Sequence, residues 1–250
     1  PIAMTVETGD TLQKKGITTL EGLSYQTPSL YSQDGGRVSS LAIRGLGSPG
    51  LDTVESSVGI YIDEIYFGRS RLSRNPLFDM ERIEVLRGPQ GTLFGRNTIG
   101  GVINIRRSRP TKEVGLKAEA TLGNYGRQEF NAVLNVGDGD VFGLKVWGYD
   151  RSFDGYYDNV TLGVDAGANS NTNIGGTLLL EPTPNLEILL TAEHTKLGGD
   201  PPVSSVSNDT DLICILLGAV IPEQCNRDLK DDLYTVFGNF LGDIDYSEDA

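Results

Sequence analysis

Between residues 113 and 193 the chain carries an apolar side chain at every second position, in one run after another. Val114, Leu116, Ala118, Ala120 and Leu122 alternate with Lys117, Glu119 and Thr121. Phe130, Ala132, Leu134 and Val136 alternate with Glu129, Asn131 and Asn135. Phe142, Leu144 and Val146 alternate with Lys145, Trp147 and Tyr149. Ile174, Leu178 and Leu180 follow against Asn173, Thr177 and Glu181, and then Leu186, Ile188, Leu190 and Ala192 against Glu187, Thr191 and Glu193. Each run is about ten residues long with period two, which predicts strands with one apolar and one polar face.

The connectors alternate as well. Tight turns at 137–140 (GDGD) and 182–185 (PTPN) are interleaved with long segments at 153–170 and 197–233. Short turns on one side and long loops on the other characterise outer-membrane β-barrels, and strands of this length suit a tilted span. Tyr125, Tyr149, Tyr156 and Tyr157 gather near one set of strand ends, as aromatic residues do at a membrane interface. A secreted antiparallel sandwich shows the same alternation and stands as the alternative. A sixth strand is expected over 234–241. A closed bacterial barrel needs about eight strands or more, and an open edge in lipid costs several kcal/mol for each unpaired backbone group. The runs are therefore expected to belong to a larger barrel. The longest apolar stretch, 212–221 (LICILLGAVI), is about half the roughly 20 residues of a spanning helix, and no signal-peptide pattern opens at Pro1.

Charge separates the first part of the chain from the rest. The net formal charge is -13, which argues against a nucleic-acid partner. Residues 1–112 carry a net +3 and residues 113–250 a net -16. The first part reads as a compact α+β unit. Ile2–Val6 is expected to be a strand, and Thr8 or Asp10 to cap a short helix that Gly16 ends. Thr18–Leu23 reads as a helical turn and Val38–Arg44 as extended. Val58–Phe67 (VGIYIDEIYF) reads as strand with a bend at Asp63-Glu64, and Asn75–Met80 as one helical turn entered at Pro76. Residues 82–105, RIEVLRGPQGTLFGRNTIGGVINI, then supply two strands around a glycine-rich connector that holds Arg87 and Arg96.

That last stretch resembles the end of the plug domain of TonB-dependent outer-membrane receptors. SLAIRGLG (40–47), SVGIYIDEIYFGRS (57–70) and PIAMTVETGDTL (1–12) are similar to earlier plug segments, in family order. The resemblance covers nearly all of residues 1–110 and extends more weakly through EATLGNYGRQEFNAVLNV. It implies an α+β plug domain (1–110) followed by antiparallel transmembrane β-barrel strands (113–250), part of a plugged barrel of about 22 strands. It also implies a bacterial outer-membrane location, TonB and its inner-membrane energising partners, outer-membrane lipid, and a small-molecule ligand such as a ferric siderophore. Cobalamin, haem and oligosaccharide are the other ligand classes, and a passive porin or a secreted binding protein the competing functions. The TonB box is expected upstream of Pro1.

The resemblance also gives the candidate site residues. Outer plug loops would touch ligand through Ser48, Asp52 and Thr53 and through Arg69, Arg71 and Arg74, whose guanidinium groups suit an anion. The segments 153–170 and 197–233 together carry a net -8, which does not favour a strongly anionic ligand. A plug enclosed by barrel wall must pair its buried charges. Arg44, Arg87 and Arg96, with Glu81 and Glu84, are expected to pair with one another or with the lumen, where Glu119 and Glu129 lie on the polar side of their strands. Many relatives have Asp-Gly where this chain has Asp63-Glu64, and Glu disfavours a positive φ, so a wider turn is expected there.

Little else in the sequence suggests chemistry. Cys214 and Cys225 are close enough for a local disulfide, worth on the order of 3 kcal/mol in the chain-entropy model, and too few ligands surround them for a metal site. Gly45-Leu-Gly47-Ser-Pro-Gly50 matches a dinucleotide fingerprint by letters, but Ser48-Pro49 and the polar run after it do not open a helix. His194 is the sole histidine, and no nucleophile and base accompany it. No enzyme activity, cofactor or metal is expected.

Overall fold

The computed structural model of the chain describes residues 3–35, 38–47, 55–68, 76–159 and 163–200, together with the backbone of 235–236 and 244–249. The chain divides into two compact units. One comprises Pro1–Ala118, Asn131–Trp147 and Gly175–Ala192, the other Glu119–Phe130, Gly148–Ile174 and Glu193–Ala250.

The first elements follow from local chemistry. Strand β1 (Ala3–Thr8) leads into helix α1 (Gly9–Lys14), where the Thr8 hydroxyl accepts from Thr11 N at 3.3 Å. Gly16 leaves the helix with φ +65. Thr19 caps helix α2 (Leu20–Ser24) in the same way, accepting from Gly22 N at 3.1 Å. Such side-chain acceptors satisfy N–H groups that the first turn of a helix leaves open. Strands β2 (Leu30–Gly35), β3 (Val38–Ile43) and β4 (Leu46–Gly47) form a small antiparallel sheet.

Strands β5 (Val58–Ile62), β6 (Ile65–Phe67), β7 (Met80–Arg87) and β8 (Gly101–Arg107) join β1 in a five-stranded sheet of order β1-β7-β8-β5-β6. A one-turn helix, α3 (Gly91–Phe94), lies between β7 and β8. The β5–β8 pair is parallel and the other pairs are antiparallel. Ile60, Ile83, Val85, Ile103 and Ile105 from this sheet pack with Leu12, Leu20, Leu23, Leu41 and Ile43 into one aliphatic core. At Gly101, φ is +151 and an added Cβ would lie 2.3 Å from the Leu86 carbonyl oxygen, so one of the connector glycines is required by packing.

Two expectations for this part fail. The bend at Asp63-Glu64 is a tight two-residue turn between the paired Ile62 and Ile65, not a wider one. Asp63 (φ 48) and Glu64 (φ 72) both adopt the left-handed region, held there by side-chain bonds to Arg107 and Arg106. Residues 76–80 contain no helix. Asp79 has φ 50, incompatible with a continuing helical turn, and Met80 already belongs to β7.

The alternating runs become β9 (Gly115–Leu122), β10 (Gln128–Gly137), β11 (Phe142–Phe153), β14 (Asn169–Thr183) and β15 (Leu186–Gly199). The last three are 12, 15 and 14 residues long, beyond the ten expected, because the polar residues at their ends continue the ladder. A hairpin of β12 (Tyr157–Asn159) and β13 (Val164–Ala166) interrupts the segment between β11 and β14. The strand expected over 234–241 is not what extends the sheet. Within that range the short β16 (Thr235–Val236) pairs with β12, whereas β17 (Ile244–Asp249) pairs with His194–Gly199 of β15. The acidic sequence of β17 has no apolar alternation to reveal it. The resulting sheet has the order β17-β15-β14-β11-β10-β9. Phe130, Leu134, Val136, Val146, Ile174 and Leu190 are exposed on one face, and Glu129, Lys145, Trp147, Tyr149, Asn173 and Thr177 are buried on the other. No helix among the described residues is long and apolar enough to cross a membrane, which does not bear on crossing by strands.

Candidate functional site

Three acidic residues in left-handed backbone gather at one end of the five-stranded sheet: Asp63, Glu64 and Asp79. They face the basic end of β8. Arg107 donates to Asp63 from its backbone N (3.0 Å) and its Nε (2.7 Å), and Arg106 donates to Glu64 at 2.7 Å. Asp79 accepts from the Ser108 hydroxyl at 2.5 Å, and its carbonyl accepts from Ser108 N at 3.0 Å.

A long strand completes this arrangement. Lys145 of β11 donates to Asp79 Oδ2 at 3.0 Å, to Ser108 Oγ at 3.2 Å and to the Ser108 carbonyl. Its side chain is 3% exposed and that of Asp79 is 9% exposed. Lys117 of β9 approaches the other Asp79 oxygen at 3.7 Å. Beside the pair, the Trp147 ring receives the Lys145 Nζ at 5.2 Å and the Arg107 guanidinium at 5.5 Å from its centroid. Gly175 of β14 makes room for that ring, since a Cβ there would lie 2.4 Å from it. A pair this deeply buried is held by complete hydrogen bonding, and removal of one partner strands the other charge. Lys112 with Glu181 (2.5 Å) and Arg109 with Glu187 (2.6 Å) add more exposed pairs close by.

The charges named from the sequence have the following partners. Arg44 has φ 53, and its guanidinium lies beside Gly88. Arg87 donates to the Thr5 hydroxyl of β1, and Arg96 lies 3.6 Å from Glu55. Glu81 and Glu84 both accept from Arg82, and Glu84 also accepts from Asn104 at 2.7 Å. Burial pushes the Glu84 carboxyl up, but the bonds from Arg82 and Asn104 and the charges of Arg82 and Arg106 outweigh it, and its pKa lies below the ordinary value. Glu119 is exposed on β9, whereas Glu129 is buried and accepts from Arg127 (3.0 Å) and from the Tyr149 hydroxyl (3.1 Å). Ser48, Asp52, Thr53, Arg69, Arg71 and Arg74 lie outside the described residues, as do Cys214 and Cys225. Asp79, Ser108 and Lys145 were not singled out from the sequence. The alternation puts Lys145 on the polar face of its run, but nothing in one chain names a partner 66 residues earlier.

Residues 1–102 match the family described as the TonB-dependent Receptor Plug Domain. The pesticin receptor of Yersinia pestis is 30% identical over 185 residues, which are 71% of this chain and 27% of the relative. The chain belongs to the TonB-dependent receptor family. The vitamin B12 transporter BtuB of Vibrio cholerae serotype O1 is 31% identical over 165 residues, 63% of this chain and 26% of the relative. The crystal structure of the ferric yersiniabactin uptake receptor FyuA from Yersinia pestis superposes with TM-score 0.73 at 24% identity, covering 83% of this chain and 33% of that one. The ferric-catecholate import receptor Fiu from E. coli K12, in its open form, gives 0.72 at 20% identity, covering 99% and 35%. The chain thus spans about a quarter of the length of the curated relatives it matches. The fold is an α+β plug followed by the antiparallel strands that begin a transmembrane barrel, and the protein is an outer-membrane protein. Members of the family are transport receptors rather than enzymes.

Proposed function

We propose that the protein imports a scarce nutrient across the outer membrane by TonB-dependent active transport, with a ferric siderophore as the leading ligand class. The observation that carries this reading is the buried junction of Asp79, Ser108 and Lys145, which fastens a plug-family sheet to the wall strands. A passive pore has no use for a folded domain pinned to its wall, whereas an energised transporter needs a closure that holds at rest. The similar proteins named for ferric yersiniabactin and ferric catecholate favour the siderophore class, and the one named as a vitamin B12 transporter keeps cobalamin open.

In this reading residues 1–110 are the plug and 113–250 contribute barrel strands and loops. Ser48, Asp52, Thr53, Arg69, Arg71 and Arg74 contact ligand, and Cys214 and Cys225 form a disulfide in an outer loop. Arg44, Glu81, Glu84, Arg87, Arg96, Glu119 and Glu129 balance charge between plug and lumen. TonB acts on the N-terminal side of the plug, and the protein carries out no covalent chemistry. The test is uptake of radiolabelled ferric complexes by cells that express the full-length receptor, with and without TonB. Accumulation that requires both supports the reading. Equal accumulation without TonB identifies a passive pore instead.

A further inference from the structure

The five long strands, β9, β10, β11, β14 and β15, turn their even-numbered residues outward, where Phe130, Val146, Ile174 and Leu190 are exposed. Among all the outward positions of these strands, only two hold an Asp, Glu, Lys or Arg: Asp150 of β11 and Lys196 of β15. Both are exposed. The other basic residues within these strands, Lys117, Lys145 and Arg151, are odd-numbered and belong to the inward face.

Strand register brings the two outward charges into one row. The Thr172 hydroxyl donates to Asp150 at 2.7 Å, and Glu181 N donates to the Val141 carbonyl at 2.8 Å, so Thr172 stands beside Asp150. On the inward face Asn173 bonds Thr195 at 2.7 Å and Thr177 bonds Thr191 at 3.0 Å. That pairing sets Lys196 beside Thr172 on the outward face. Asp150, Thr172 and Lys196 thus follow one another across three adjacent strands, at a strand spacing of about 4.8 Å.

The row also has a definite height. From Leu186 to Lys196, β15 rises about 33 Å along its own axis. At a tilt of about 40° this is about 25 Å across the membrane, the height of the apolar band of an outer-membrane barrel. The row lies at the end with the long connectors, 154–168 and 200–243, and the short turns 138–141 and 184–185 lie at the other end. Long loops mark the outer side. A lysine facing lipid is costly at the bilayer midplane and tolerated at its edge. A carboxylate, a hydroxyl and an ammonium therefore stand side by side at the level of the outer headgroups.

We propose that Asp150, Thr172 and Lys196 form a docking strip for a phosphorylated lipid of the outer leaflet, of the lipid A type. Lys196 takes a phosphate oxygen. Asp150 binds the divalent cation that such phosphates carry, since a hard cation gathers carboxylate and phosphate oxygens together. One cation and one anion in the same row suit a phosphate with its counter-cation better than a bare anion. The strip fixes the depth at which this part of the wall sits, whatever ligand is imported.

The test uses the full-length receptor in non-ionic detergent with Ser170→Cys, an exposed outward position two residues beyond Thr172, as a local reporter. Maleimide labelling at residue 170 is read by mass spectrometry. With magnesium present, bisphosphorylated lipid A is expected to slow labelling about ten-fold, and the same lipid stripped of both phosphates should not. Inorganic phosphate alone should give no protection. Lys196→Gln should raise the lipid concentration for half-protection about ten-fold, the size of one lost charge-assisted hydrogen bond, and Lys196→Arg should stay near the parent. Asp150→Asn should weaken protection in magnesium and make no difference in EDTA. Heat-modifiable gel mobility verifies folding of each variant. Equal protection by the dephosphorylated lipid leaves only apolar contact and overturns the strip. Protection by inorganic phosphate alone, or a Lys196→Gln receptor that behaves as the parent, overturns it as well.

Discussion

In the plug sheet, Ile83, Val85, Ile103 and Ile105 are buried; in β10, Phe130, Leu134 and Val136 are exposed while Glu129 is hidden. Both regions alternate with the period of a strand, and both are made of ordinary aliphatic and acidic residues. They differ in the surroundings that each face must match. The plug sheet hides its apolar residues from water in a core with two helices. The wall strands present theirs outward and turn their charges inward, an arrangement that suits lipid outside and a polar, plug-filled lumen within. Buried charge is thus unusual in one region and built into the other. It is concentrated where the two meet, at Asp79 and Lys145.

The largest expected effect comes from unbalancing that junction. Lys145→Met should leave Asp79 buried without its main partner and destabilise the docked plug by about 3–5 kcal/mol. Asp79→Asn combined with Lys145→Met should recover most of the loss, because no net charge then remains buried. Thermal unfolding of the full-length receptor in detergent, followed by near-UV circular dichroism, measures both. If the double variant is as unstable as the single one, packing at Trp147 matters more than charge. Next in size is Leu134→Arg on the outer face of β10, expected to cost about 2–4 kcal/mol in urea titrations of the receptor folded into lipid vesicles. No cost there would mean that the face meets water, and the contrast between the two sheets would collapse.

These regions were not equally legible in the sequence. Residue parity alone identified the five wall strands and their apolar faces, because period two survives whichever solvent lies outside. It could not reveal β17, whose sequence IDYSED has no apolar alternation and whose position depends on pairing with β15. Thr8 was readable as a cap, and 18–23 as a helical turn, because capping and helix starts are local, although the cap of that turn is Thr19. The tight turn at Asp63-Glu64 is not legible in the same way, because the cost of positive φ is local whereas its compensation comes from Arg106 and Arg107, 42 and 44 residues away. The Asp79–Lys145 pair is hidden for the same reason: each residue alone is an unremarkable charge, and its role lies in the tertiary contact.

A smaller, pH-dependent effect separates a plug carboxylate from the solvated acids of the outer segments. The folded pKa of Glu84 lies below its ordinary value of 4.5. Its contribution is therefore fully present above pH 4.5 and is lost as pH falls through the lower, folded value. Glu84→Gln should remove this dependence, so the stability difference between parent and variant should shrink as the solution is acidified below pH 4.5. Denaturant midpoints across that window measure it. A difference that grows on acidification would mean that the Arg82 and Asn104 bonds do not hold the carboxylate in the folded protein.

The smallest effect tests whether strain in the plug turn is offset by its ion pair. Glu64→Gly removes the cost of a left-handed glutamate, about 1 kcal/mol. It also removes the bond to Arg106, and with the Glu64 side chain 73% exposed that pair is worth about 0.2–1 kcal/mol. The two changes nearly cancel, and the balance should favour glycine by a few tenths of a kcal/mol. Glu64→Ala keeps the strain and loses the pair, so it should be less stable than both the parent and the glycine variant. That order, glycine then glutamate then alanine, follows if Arg106 only compensates for backbone strain. If Glu64→Gly is instead destabilising by more than about 1 kcal/mol, the ion pair exceeds the worth of an exposed contact. The turn would then belong with Asp79 among the strong electrostatic links of the molecule.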